Sequence, residues 1–191
     1  MNHHIDHYFD ESLTELKNQI LIMGSKVEDM LADCITAFEN QDLKLVEEIV
    51  KRDTAIDELE IAIDEQCIAL LARYQPAASD LRFITRGLKI VTDLERIGDL
   101  TVNIANRVMD IAKAGRSPLP LTQMVSVVKE MLKNSIDAFV SLDVNKANQV
   151  LSNDDTVDDL TEKYVIELIE RAANKPEEIK AIFPITSIIR H

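Results

Sequence analysis

Glu95 and Asp99 stand four residues apart in the segment Asp93-Leu94-Glu95-Arg96-Ile97-Gly98-Asp99. On a helix that spacing puts both carboxylates on one face, one turn above the other. Asn103 continues the line a turn later, and Thr92 lies a turn before. Two stacked carboxylates repel each other by a few tenths of a kcal/mol when nothing lies between them. Glu95 also follows Ile84, Leu88 and Val91 on a stripe that should face other helices, where a carboxylate needs a partner.

A second acidic face lies upstream. Asp53, Asp57, Glu60 and Asp64 recur at steps of four, three and four, so they share one side of a helix. The chain turns back near Pro76, which brings Glu60 level with Asp93 to Glu95, and Asp57 level with Arg96 to Asp99. Carboxylates without cysteine or helix-borne histidine suit hard cations such as Mg²⁺, Ca²⁺, Mn²⁺ or iron. The residues leave a second reading open: a solvated acidic face paired to Lys51, Arg52, Arg96 and Arg107. Glu95, Asp99, Asn103, Glu60, Asp57 and Asp64 are therefore the candidate metal residues. Asp80 lies fifteen residues before Glu95, about 22 Å along a helix, too far to share the site. Its expected role is a favourable charge at a helix N-terminus, with Arg82 as a candidate ion-pair partner.

The elements that must position these groups are long helices. Apolar residues recur at helical spacing almost throughout the 191 residues, and only four Gly interrupt them. The spacing predicts a first helix from about Ile5 to Glu39. Asn40-Gln41-Asp42 breaks it, and Asp42 can cap a second helix from Leu43 to Tyr74. After Gln75-Pro76-Ala77-Ala78-Ser79, with Ser79 as a candidate cap, a third helix runs from about Asp80 to Lys113. Residues 116–120 form the clearest linker, preceded by Gly115 and containing Pro118 and Pro120.

The pattern then begins again. A shift of 101 positions lays Met23 on Met124, Val27 on Val128, Met30 on Met131, Leu31 on Leu132 and Ile35 on Ile136. It also lays Asp42 on Asp143, Asp53 on Asp154, and Asp57-x-Leu59 on Asp158-x-Leu160. These coincidences at core spacing mark an internal repeat. The expected fold is all-α, two tandem antiparallel three-helix bundles: residues 1–115, then the linker, then 121–191. The second copy's third helix should start near Pro176. His191 falls opposite Asp93, so this helix is expected to be cut short before the counterpart of Glu95, making the second half the weaker one. The second acidic face is also changed, with Thr161 in place of Glu60 and Val165 in place of Asp64.

Composition narrows the function. A net charge of −13 is poorly suited to nucleic-acid phosphate or an anionic membrane surface, and better suited to cations or a basic protein partner. No run of about 18 apolar residues exists to span a membrane. Cys34 and Cys67, the only cysteines, both sit on apolar helix faces and read as buried free thiols in a reducing compartment. His3, His4 and His7 offer metal-binding groups, but a frayed terminal segment is the expected state of that end.

Gln75-Pro76-Ala77-Ala78-Ser79-Asp80-Leu81-Arg82, followed by Asp93-Leu94-Glu95-Arg96-Ile97-Gly98-Asp99, closely resembles the PhoU family. Met23-Gly24-x-x-Val27-Glu28 and Ala62-Ile63-Asp64-Glu65 carry the same resemblance, which covers essentially the whole chain. It implies two three-helix bundles in tandem, each with a Glu/Asp-x-x-x-Asp metal motif on its third helix. Glu95 and Asp99 match that motif here, and Asn103 stands where the family often has Asn. The implied cofactor is a divalent or trivalent metal ion (iron, Mn, Mg or Zn), often in multinuclear clusters. The implied function is that of a cytoplasmic, non-enzymatic adaptor that negatively controls high-affinity phosphate uptake and the coupled two-component signalling response. Its implied partners are the phosphate-transporter ATPase subunit and a membrane sensor histidine kinase, with self-association as a homo-oligomer such as a dimer. Two other readings remain at this point. One is a structural or docking bundle with an incidental acidic face. The other is a carboxylate-bridged metalloenzyme, against which stands the lack of any Glu-x-x-His pair.

Overall fold

A computed structural model describes residues 2–114, 119 and 121–190, with the backbone alone for residues 2–6. Six α-helices follow in order: α1 (Asn2–Asn40), α2 (Leu43–Tyr74), α3 (Ala78–Ala114), α4 (Thr122–Ser141), α5 (Val144–Asn174) and α6 (Ile179–Arg190). A single 3₁₀ turn, Pro176–Glu178, leads into α6. No strand occurs among the described residues. Helix α2 has the predicted bounds. Helix α1 begins three residues earlier than predicted, so the N-terminal segment is helical from Asn2, where fraying was expected. Helix α3 begins at Ala78, which puts Ser79 inside it and not at its cap. Gly115 and the linker residues other than Leu119 lie outside the described residues, as does His191.

The repeat is visible in how the helices begin. The Asp42 carboxylate accepts from the backbone N–H groups of Lys44 and Leu45 at 3.0 and 3.2 Å. Asp143 accepts from Asn145 and Lys146 at 2.9 and 3.2 Å. Each satisfies two of the N–H groups that a helix start leaves without an intrahelical partner. The residues just before them, Gln41 and Leu142, both take left-handed backbone, with φ of 54° and 56°. The same two-residue device thus joins α1 to α2 and α4 to α5.

Packing differs between the halves. Helices α1, α2 and α3 pack pairwise, a closed three-helix bundle. In the second half α5 packs on α4 and α6, and residues of α4 and α6 line one apolar cavity. In addition α4 lies against α1, and α6 against α3. One apolar cluster consequently runs through both halves, from Leu16 and Ile20 to Ile185 and Ile188. Within α6, Ile182, Ile185, Ile188 and Ile189 are all buried. Burying such a side chain stabilises by about 1.5–3 kcal/mol, and α3 supplies the covering surface. The buried Glu178 is held by Arg171 and Lys175 at the α5–α6 corner. Between the halves an apolar cavity of about 220 Å³ remains, lined by residues such as Ile35, Ile97, Leu121 and Ile188.

Gly24 makes the α1–α4 approach possible. A Cβ there would overlap the side chain of Ile136, the repeat partner of Ile35. Phe83 and Phe139 add a stacked pair between α3 and α4, 4.7 Å between centroids.

Candidate metal centre

Helices α2 and α3 run antiparallel from the Gln75–Ala77 turn, and Gly98 fixes how closely they cross. A Cβ at Gly98 would stand 3.3 Å from Asp53 Oδ1 and 3.5 Å from Ile56 Cγ2. With hydrogen there instead, Asp53 sits directly against α3, one residue from Asp99. The buried residues Ile56 and Ile63 on α2, and Val91 and Leu94 on α3, hold this register. The acidic residues lie at the edge of that apolar seam. Asp53, Glu60 and Glu95 are half-buried, whereas Asp57 and Asp99 are exposed.

The carboxylates feel one another. The Glu95 carboxyl is raised above its ordinary value by burial first, then by the charges of Asp99, Glu60, Asp57 and Asp53. Asp53 is raised by burial, then by Asp57 and Asp99. Five carboxylates from two helices therefore share one electrostatic neighbourhood. Among the described residues no ion pair reaches any of them: Arg52 pairs with Asp33 and Glu48, and Arg107 with Asp110. The solvated-face reading named Lys51, Arg52, Arg96 and Arg107 as partners of these acids, and among the described residues none of the four forms an ion pair with them.

Four of the six candidates thus come together: Glu95, Asp99, Glu60 and Asp57. Asp64 does not join them. It lies three helical turns beyond Asp53 along α2. There it acts on the Cys67 thiol, and its Oδ1 is buried without a hydrogen-bond partner. Asn103 is exposed and lies a turn past the level of Asp53. Asp53, on the same acidic face but not among the six candidates, joins this cluster of carboxylates. Its signal was Gly98, the one position in the motif where a missing side chain admits a carboxylate from the facing helix. Asp80 sits in the first turn of α3, as expected, but forms no ion pair with Arg82 among the described residues.

The donor chemistry fits a hard cation: oxygen ligands only, with unneutralised negative charge. The side chains stand apart as they are, and no three His, Cys, Asp or Glu groups among the described residues are drawn tightly enough to hold an ion without rearrangement. Rotation of the exposed Asp57 and Asp99 side chains is the available adjustment. His7 does not contribute: it lies on α1 beside Glu11, 3.7 Å away. Burial pushes the Cys34 thiol up to about 12 and, together with Asp64, the Cys67 thiol up to about 11, so both are inert thiols at neutral pH.

Comparison with known proteins gives a consistent result. A family model described as the PhoU domain matches residues 20–108 and again 121–191, the two halves of the repeat. The phosphate-specific transport system accessory protein PhoU homolog of Aquifex aeolicus is 37% identical over 185 residues, 95% of this chain and 83% of its own length. The Escherichia coli accessory protein PhoU is 34% identical over 197 residues, 100% of this chain and 81% of its own. The crystal structure of PhoU from Pseudomonas aeruginosa superposes with a TM-score of 0.90 at 34% identity, covering 95% of this chain and 88% of that one. The phosphate transport system regulatory protein PhoU from Streptococcus pneumoniae gives 0.82 at 26% identity, covering 95% and 90%.

Proposed function

The chain belongs to the PhoU family, and on that premise we propose that it is an accessory regulator of phosphate transport that works as a metal-binding adaptor. The observation that carries the metal part is the unneutralised meeting of Glu95 and Asp99 on α3 with Asp53, Asp57 and Glu60 on α2. Glu95 and Asp99 would hold the ion from one turn of α3, and the α2 carboxylates would complete the set. The bound cation supplies positive charge that cancels the repulsion across the α2–α3 seam. Iron, Mn, Mg and Zn are all compatible with this role, and the oxygen-only donors favour the harder ions of that group.

The relatives' names support the coarser role, accessory to phosphate transport. The finer role is negative control of high-affinity uptake and of the two-component response in the cytoplasm, with the transporter ATPase subunit and the sensor kinase as partners. No helix among the described residues is long and apolar enough to cross a membrane, so contact with membrane-bound partners would be made through exposed helix faces. Homo-oligomerisation is part of the proposal, and enzymatic turnover is not.

The test is complementation. In a bacterium whose own family member has been deleted, expression of this chain should restore repression of a phosphate-starvation reporter when phosphate is plentiful. A folded, expressed chain that leaves the reporter on at high phosphate would overturn the regulatory role.

A further inference from the structure

Helices α2 and α5 carry a surface feature that the acidic site does not use. Leu43, Val50, Ile61 and Ile68 on α2 are 40–62% exposed. At about 100° per residue these four fall within about 20° of a single line, which runs some 38 Å along the helix. The repeat reproduces three of its four positions, and the fourth, Ile61, falls on Glu162. The shift of 101 positions carries Leu43, Val50 and Ile68 onto Val144, Leu151 and Ile169 of α5, which are 63–70% exposed. Single exposed apolar residues are ordinary on a soluble surface. Exposed apolar residues aligned on one side of a helix, and recurring at three equivalent positions of a second helix, are a surface kept for contact. Helices α2 and α5 do not touch among the described residues, so the two lines are separate faces.

Both lines are bordered by acid: Glu47, Glu58 and Glu65 flank the one on α2, Asp155 flanks the one on α5, and Glu162 stands within that line between Leu151 and Ile169, all exposed. We propose that each line docks a basic amphipathic helix of a partner protein. The visitor's apolar side would cover the line, and its Lys and Arg would meet the acidic rim. Charge selects this occupant over the alternatives. A second copy of the chain brings the same acidic rims and a net charge of −13, and an anionic lipid surface is repelled for the same reason. Two equivalent faces on one chain allow two partner helices to be held together, which is what bridging a transporter subunit to a kinase requires. The inference deepens the adaptor reading and rests on it for the existence of partners.

The probe is a synthetic Leu/Lys peptide with heptad amphipathicity, alongside a scrambled peptide of the same composition. Titration calorimetry at physiological salt should show two amphipathic peptides per chain and at least tenfold weaker binding of the scramble. Ile61→Ser with Ile68→Ser should remove one peptide, and Leu151→Ser with Ile169→Ser the other. All four positions are exposed, so folding is retained, as circular dichroism would verify. Equal binding by the variants, or by the scramble, overturns the proposal. So does sedimentation showing that the variants turn an oligomer into monomer, because the faces would then hold a second copy. The complementation assay separates the two readings. Wild type repressing the reporter with both variants repressing equally sinks the docking faces alone; failure of wild type sinks the adaptor reading, whatever the peptide does.

Discussion

At the scale of single residues the account rests on carboxylates that are costly where they stand. Glu95 is raised chiefly by burial and then by four acidic neighbours. The folded chain therefore holds this proton more tightly than the unfolded chain. The stability this contributes is present below the ordinary value of 4.5 and is lost as pH rises through the raised one. Glu95→Gln in metal-free protein should thus raise Tm by about 1–2 °C near neutral pH and leave it unchanged near pH 4. Thermal melts at the two pH values check this. A second expectation separates the members of the acidic face: Asp53→Asn should weaken Mn²⁺ binding by roughly tenfold, and Asp64→Asn should leave it alone. Calorimetric titration of both variants decides it. The spacing of Glu95, Asp99, Asp57 and Glu60 was legible in the sequence, because helical periodicity says which groups share a face. Rotation about the helix axis is not written in periodicity. It is set by Ile56 packing against Gly98, and this is why Asp53 stands among the clustered carboxylates of the α2–α3 seam.

At the scale of elements the chain was largely readable. Apolar spacing, the Asp42 cap and the Pro76 turn locate α2 to the residue, because each end has a local cause. The start of α1 was less legible, since helix formation there extends through polar residues that carry no apolar stripe. The turn between α4 and α5 offers a test. Leu142 is 72% exposed and sits at φ 56°, where a Cβ is unfavourable by about 1–2 kcal/mol. Leu142→Gly should raise Tm by about 2–4 °C, while Asp143→Ala, which removes the cap, should lower it by about as much. Differential scanning calorimetry of the two variants gives opposite signs on this account.

At the scale of the molecule, the repeat predicted two tandem three-helix units, the second cut short, and the two units also pack on each other. The sequence pattern shows which residues are apolar but not which apolar faces will meet. Helix α4 buries its face on α1, α6 buries its own on α3, and a single core results. The hydrogen of Gly24 is what lets Ile136 reach α1. Gly24→Val should therefore lower Tm by several degrees, since overpacking typically costs about 1–3 kcal/mol. Ile136→Ala in the same chain should be less damaging than the two single losses combined, because the overlap is relieved. Melting of the four proteins in a double-mutant cycle measures that coupling. Whether α2 and α3 together form a cation site is decided by a titration followed by melting. Mn²⁺ is added to the wild-type chain and to the chain carrying Glu95→Gln with Asp99→Asn, and Tm is followed. The account predicts that Mn²⁺ at about 100 times its Kd raises the wild-type Tm by about 5–10 °C, through linkage worth about 2.7 kcal/mol. The double variant should not respond, and should melt no lower than the metal-free wild type. Equal rises in both proteins, or no rise in either, would contradict it.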